Sequence, residues 1–263
     1  MASSTHRFTE GPLAPYRELK ERSARRESFH FAICEGNHLV DLALQEAAKG
    51  GLQVRSVLVS AARRGDWQDR IPAGTEFLVL AEADLHALLG YSFHRGVLAC
   101  VDPPAERPEG DLAACERLLV LPRLDQETNL GLLLRSGAAL GMDGVLVGPG
   151  VSIWARRTIR TSMGGVFRIP VWQRPDPAPL LAAWRAVGGE TVAAAVGLGC
   201  DDARHWRPES RTALVLGAED HGLDAAWLAR ADRCVRIPMR REMDSLNVAA
   251  AGAILMERLC GGS

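Results

Sequence analysis

No apolar run in this 263-residue chain approaches the length of a bilayer span, so no membrane-crossing helix is expected. The opening segment carries Arg7, Arg17 and Arg22 but has no apolar stretch, and Glu10, Glu18 and Glu21 offset its basic residues. Neither a secretory leader nor an amphipathic organelle signal fits that composition. The cysteines at 34, 100, 115, 200, 234 and 260 form no C-x-x-C pair, which argues against a zinc site and against a disulfide scaffold. A reducing cytoplasm and no metal are therefore the expectation. Internal repeats and low-complexity tracts are missing too.

A charge of one sign is also lacking: 31 Lys and Arg stand against 32 Asp and Glu, for a formal net charge of −1. The total alone gives no support to a polyanion partner, but distribution matters more than the sum. Lysine is nearly absent, and the arginines bunch at Arg22, Arg25 and Arg26, at Arg63 and Arg64, at Arg156, Arg157 and Arg160, and at Arg240 and Arg241. Arginine grips phosphate with a planar fork. The last two groups adjoin the loops singled out below, which makes Arg156, Arg157, Arg160 and Arg240 candidates for contact with a phosphate backbone. Paired with the equally numerous acids, any one group is otherwise a solvated face.

The length allows one large or two small domains, each with a core. Residues 1–28 read as a mobile, charged extension. From 29 to 102, strands at Phe31–Cys34, Val54–Ser60, Glu76–Leu80 and Val97–Val101 alternate with helices at His38–Ala48 and Ala83–Leu89, a small α/β unit. The proline- and charge-rich stretch within 103–115 reads as a linker. Residues 116–263 form the second domain. Its strands, at Leu118–Leu121, Gly144–Val147, Val166–Pro170, Thr191–Ala195, Ala213–Leu216 and Cys234–Ile237, alternate with helices, the pattern of a mostly parallel sheet covered on both faces.

Three segments of that domain carry chemistry. Asn129-Leu-Gly-Leu-Leu-Leu-Arg135 opens a helix whose apolar stripe of Leu130, Leu133, Leu134 and Ala138 leaves Arg135 on its flank. Leu214-Val-Leu-Gly-Ala-Glu-Asp-His-Gly-Leu223 is a buried strand followed by a glycine-bracketed turn that brings Glu219 to the strand's carboxyl end, the edge where open α/β sheets bind ligands. Ile237-Pro-Met-Arg-Arg-Glu-Met-Asp-Ser-Leu-Asn247 ends a strand at Pro238, which lacks an N–H. Its polar loop then delivers Asp244 or Ser245 as the cap of a helix of small residues, Val248 to Met256.

In this order, the three segments resemble the motifs of the SpoU-type RNA ribose 2′-O-methyltransferases of the SPOUT superfamily. Asn129, Gly131 and Arg135 match the first, N-x-G-x-x-x-R. Gly217, Glu219, Gly222 and Leu223 match the second, G-x-E-x-x-G-L, with Asp220 where that family usually has another glycine. Ile237 to Met239 and Ser245 to Val248 match the third, with Arg240 and Arg241 where small residues are common. Thr158 to Val171, with Arg160, Ser162 and Gly164, is similar to the family's connecting segment. In the first half, Cys34-Glu-Gly-Asn-His-Leu-Val and His94-Arg-Gly-Val-Leu-Ala99 look like the ribosomal-protein-like substrate-binding domain that precedes the catalytic domain in many such enzymes.

The resemblance implies a deep trefoil knot in the second domain, S-adenosylmethionine as methyl donor, and a ribose hydroxyl of ribosomal RNA, or else of transfer RNA, as acceptor. It implies a cofactor cleft of Gly217, Ile237, Leu246, Leu216 and Met239. Arg135 would act at the hydroxyl, and Asn129, Glu219, Ser245 and Asn247 would orient nucleotide and loops. A homodimer joined through the small-residue helix is implied as well. Three rivals stand beside it. One is a dinucleotide enzyme, suggested by Gly148-Pro-Gly150 but lacking a third glycine. Another is an RNA-binding or ribosome-assembly protein that keeps the fold without turnover. The third is a base methylase of the same superfamily, in which the Asn129-to-Arg135 spacing is not expected.

Overall fold

A computed structural model describes residues 10–19, 31–197, 199–218, 220–240 and 245–261. They fall into two compact units. One is the described part of Met1–Ala105 with Trp154–Gly164; the other is Glu106–Ile153 with the described part of Gly165–Ser263.

In the first unit the order is β1 (Ala32–Glu35), α1 (Asn37–Ala48), β2 (Gln53–Ser60), α2 (Arg64–Trp67), β3 (Glu76–Leu80), α3 (Glu82–Leu89) and β4 (Val97–Asp102). Apart from the four-residue α2, which has no apolar period of its own, each element lies within a residue of its expected place. The sheet runs β1-β4-β2-β3, with β4 antiparallel to both neighbours and β2 parallel to β3. Ile33, Leu58, Leu85, Leu88, Leu89 and Leu98 build its core.

The expected mobile extension is corrected over 10–19; residues 20–28 lie outside the described residues. Tyr16 and Leu19 join the core. Tyr16 is fully buried; its hydroxyl donates to Ser56 O at 3.0 Å and accepts from Cys100 N at 2.9 Å. A buried phenol with both hydrogen-bonding roles filled ties the segment down. Leu13, Tyr16 and Leu19, three residues apart, were the signal hidden among the charges.

The second unit contains β5 (Arg117–Leu121), α4 (Glu127–Leu140) and β6 (Gly144–Val147). The chain next forms α5 (Arg156–Thr161), which packs against β1 within the first unit, so 154–164 does not group with the rest of 116–263 as expected. There follow β7 (Val171–Gln173), α6 (Ala178–Ala186), β8 (Glu190–Ala194), β9 (Asp201–Asp202), β10 (Thr212–Val215), α7 (Ala225–Arg230), β11 (Arg233–Arg236) and α8 (Val248–Cys260). The seven strands run β7-β6-β5-β10-β8-β11-β9, and every pairing is parallel.

Alternation along the strands divides the core. Leu118, Val120, Ala213 and Val215 face α6 through Leu180, Leu181 and Trp184. Leu119, Leu121 and Leu214 point to the opposite face, where α8 packs on α4. At Gly252 a Cβ would run into Leu133 and Leu216, so this small residue serves contact within the chain.

Two expectations need correction here. The strand expected at Val166–Pro170 is a 3₁₀ turn at Gly165–Phe167, and β7 starts only after Pro170. Pro170 has no N–H to give the ladder, and Gly165 is pressed against the backbone of Leu134 and Arg135, where a turn fits and a strand does not. The scattered cysteines also include one bridge. Parallel pairing of β9 with β11 brings Cys200 and Cys234 to a Cα separation of 4.6 Å, and they form a disulfide. Among the described residues no helix is long and apolar enough to cross a membrane, and no three His, Cys, Asp or Glu side chains gather as a metal site requires.

Candidate cofactor cavity and its surroundings

Because β8, β10 and β11 are parallel, they end at the same edge of the sheet, and the segments leaving them meet there. Ala194–Val196 at the end of β8, Leu216–Ala218 and Asp220–Leu223 after β10, and Ile237, Met239, Ser245 and Leu246 after β11 enclose a cavity of about 470 Å³, closed by Val248, Ala251 and Leu255 of α8. Such a volume lies in the range of about 300–1,000 Å³ typical of small-molecule sites.

All five expected cofactor residues, Leu216, Gly217, Ile237, Met239 and Leu246, line this cavity together with Ser245. Gly217 is required there for a reason internal to the chain. A Cβ would overlap the backbone of Gly222 and Leu223, where the turn doubles back, closed by Gly222 N donating to Ala218 O at 2.9 Å. Glu219 lies outside the described residues.

Asn129 and Asn247 come together beside the cavity wall. The helix cap expected at Asp244 or Ser245 is Asn247. Its Oδ1 accepts from Ala249 N at 2.9 Å and Ala250 N at 3.3 Å, while its Nδ2 donates to Asn129 Oδ1 at 3.0 Å. Asp244 is outside the described residues, and Ser245 is left free to border the cavity. Asn129 is 3% exposed and also donates to Gln126 Oε1 at 3.4 Å. Arg135 sits exposed on α4 and is not among the residues lining the cavity.

The arginine candidates separate. Arg156, on α5, pairs with the buried Glu35 at 2.9 Å and with the Tyr91 hydroxyl at 2.9 Å, all within the first unit. Burial pushes the Tyr91 phenol up to about 12, against the opposing pull of Arg156. Arg157 is exposed and Arg160 half-buried on the same helix, and Arg240 is exposed in the second unit. Arg241 is outside the described residues.

Gly148 and Gly150 have a packing role. A Cβ on either would collide with the carbonyl oxygen of Pro122 or Leu124, against which this loop is laid, with Gly148 N bonded to Leu121 O at 2.8 Å and Val151 N to Leu124 O at 2.9 Å. Sequence reasoning missed Ala194–Val196, Asp220, His221, Leu228 and Val235 of the cavity. Their signal was positional: each lies at or just past the carboxyl end of a strand, or on the following turn or helix.

A parallel α/β sheet whose carboxyl-end segments wrap a mostly apolar cavity defines a small-molecule-binding protein of the open-sheet class. Residues 116–257 match the model of the SpoU rRNA Methylase family, and the chain belongs to that family. It is 30% identical over 251 residues, 94% of either chain, to the 23S rRNA (guanosine(2553)-2′-O)-methyltransferase RlmP of Bacillus subtilis. An uncharacterised tRNA/rRNA methyltransferase of Mycobacterium tuberculosis is 36% identical over 180 residues, which span 66% of this chain and 62% of that one. The fold is also that of the SpoU methyltransferase AviRb from Streptomyces viridochromogenes, solved in complex with the cofactor AdoMet. The TM-score is 0.76 at 23% identity, over 96% of this chain and 97% of that chain.

Proposed function

We propose that this protein transfers a methyl group from S-adenosylmethionine to a ribose 2′-hydroxyl of a structured RNA, ribosomal RNA ahead of transfer RNA. One observation carries the reading: the second and third motifs close on a single cavity, in a chain that matches a ribosomal RNA 2′-O-methyltransferase over nearly its whole length.

The cavity suits the cofactor. Leu216 and Gly217 on one wall and Ile237, Met239 and Leu246 on another offer an apolar slot for a flat base, and Ser245 adds a hydroxyl. When bound, the sulfonium supplies an electrophilic methyl group. The protein's task is then alignment and charge. A ribose hydroxyl becomes a competent nucleophile only as its proton departs, and a guanidinium, which keeps its own proton, helps by stabilising the developing alkoxide or by gripping the adjacent phosphate. Arg135 takes that role. Asn129 and Asn247 hold the first and third motifs to each other, and Glu219 and Ser245 orient the nucleotide.

Further parts of the reading rest on family membership. The second unit carries the trefoil knot, and the first unit is a ribosomal-protein-like RNA grip. In the first unit Arg157 and Arg160 meet phosphates, with Arg156 shaping their helix's surroundings through its pair with Glu35; in the second unit Arg240 does so. Two copies join through α8, whose Ile254 is 42% exposed, with Leu246 at 38% on the loop before it. The compartment is the cytoplasm, where such RNA is found.

The test is transfer of labelled methyl from S-adenosylmethionine to unmodified ribosomal and transfer RNA, followed by alkaline hydrolysis. Label in an alkali-resistant dinucleotide from ribosomal RNA is expected. Label on a base, or cofactor binding with no transfer to either RNA, overturns the reading.

A further inference from the structure

Among the described residues lining the cavity, the ionisable side chains are Asp220 and His221, and no lysine or arginine takes part. The remaining walls are aliphatic side chains and glycine, with Met239 and the hydroxyl of Ser245. Asp220 is exposed at the rim of the cavity, between Ala218 and Gly222, whose backbones pair through Gly222 N donating to Ala218 O at 2.9 Å. A charge at the mouth of an otherwise mostly apolar cavity sorts ligands by their charge, with solvent and salt screening the effect.

Resting on the methyl-transfer reading, we infer that Asp220 is a specificity-determining residue that favours the sulfonium cofactor over the thioether it leaves behind. Transfer changes the ligand's charge. The S–CH₃ bond breaks with its electron pair remaining on sulfur, the new O–CH₃ bond forms, and the hydroxyl proton passes to solvent. The ligand leaves with one positive charge fewer than it brought. An anionic side chain at the cavity therefore attracts the form that must bind and not the form that must depart. Such a differential interaction limits product inhibition without any change of shape.

Titration calorimetry of the full chain with S-adenosylmethionine, S-adenosylhomocysteine and sinefungin, which carries an amine cation near the sulfonium position, separates charge from shape. Asp220→Asn is expected to weaken the two cationic ligands about 3- to 10-fold at ~0.15 M salt and to leave the thioether within about 2-fold. Asp220→Glu should restore the preference. In the unaltered protein the preference should widen as salt is lowered, and Asp220→Ser supplies a second neutral variant should Asp220→Asn not fold. Equal losses for all three ligands, no loss for any, or a salt-independent preference overturns the proposal. If the unaltered protein binds none of the three, the cofactor reading itself fails.

Discussion

Asn247 reaches across 118 residues of sequence to Asn129: its Nδ2 donates to the buried Oδ1 at 3.0 Å while its own Oδ1 caps α8. One side chain thereby fixes the first turn of α8 to the first turn of α4. Asn247 of the third motif is thus anchored on the first motif as well as on its own helix.

The two halves of that amide separate by mutation. Asn247→Asp keeps an oxygen for the cap but removes the donor to Asn129. Asn247→Ala removes both. A lost cap costs about 1 kcal/mol, and a buried carbonyl oxygen without its donor costs about 1–3 kcal/mol. Thermal unfolding should therefore place Asn247→Ala about 1 kcal/mol below Asn247→Asp, with methyl transfer impaired in both. Identical melting of the two would show that the cap assignment is wrong.

That pairing also marks where sequence reading stops. Asn129 and Asn247 stand out in the sequence because their motif spacing is specific, yet their bond to each other depends on how α4 packs on α8, which no local pattern encodes. The cavity was readable as far as strand ends could be placed: β10 and β11 fall within a residue of expectation, so Gly217 and Ile237 land on its wall. Ala194–Val196 escaped because β8 becomes a neighbour of β10 and β11 only through the strand order. Tyr16 was missed because charge around it outweighed a three-residue apolar spacing, and Cys200 with Cys234 because a two-residue strand, β9, sets their approach.

Arg135 is exposed on α4 and does not line the cavity, so the proposed role at the acceptor separates from cofactor binding in a direct test. Arg135→Ala and Arg135→Lys should leave S-adenosylmethionine affinity within about 2-fold while turnover falls about 100-fold or more for Ala, the scale of losing one charge-stabilising donor. Lys keeps a charge without the planar fork and should recover only part. Calorimetry together with single-turnover methyl transfer reads both quantities. Near-normal turnover in Arg135→Ala removes this residue from the mechanism.

The first unit should be alkali-labile. Burial pushes the Cys34 and Cys100 thiols up to about 12 and raises the Tyr16 phenol as well. In the unfolded chain these thiols ionise near about 8.5 and the phenol near about 10. The folded state holds protons that the unfolded state gives up. Its stability is therefore complete below about pH 8.5 and is lost progressively as pH rises toward 12. Calorimetric melting should be level from about pH 7 to 8 and fall through pH 9 and 10, less steeply in Cys34→Ala. A pH-independent melting point across that interval would contradict the burial of these groups.

The bridge between Cys200 and Cys234 makes a separable prediction about the second unit. It joins residues 34 apart, a loop for which chain entropy suggests about 4 kcal/mol of stabilisation. For a domain of this size that is a shift of roughly 10 °C in Tm. Cys34, Cys100, Cys115 and Cys260 take no part in a disulfide, so thiol counting in denaturant should give four groups before reduction and six after. Reductant should lower the melting point of the unaltered protein. Cys200→Ser should melt at the lower temperature with or without reductant. A reducing cytoplasm opens exposed disulfides, so protein taken from cells under thiol-trapping conditions reports whether the bridge forms before or after purification. Six reactive thiols in oxidised, denatured protein would eliminate the bridge, and with it the restraint between β11 and the loop that follows Val196 in the cavity wall.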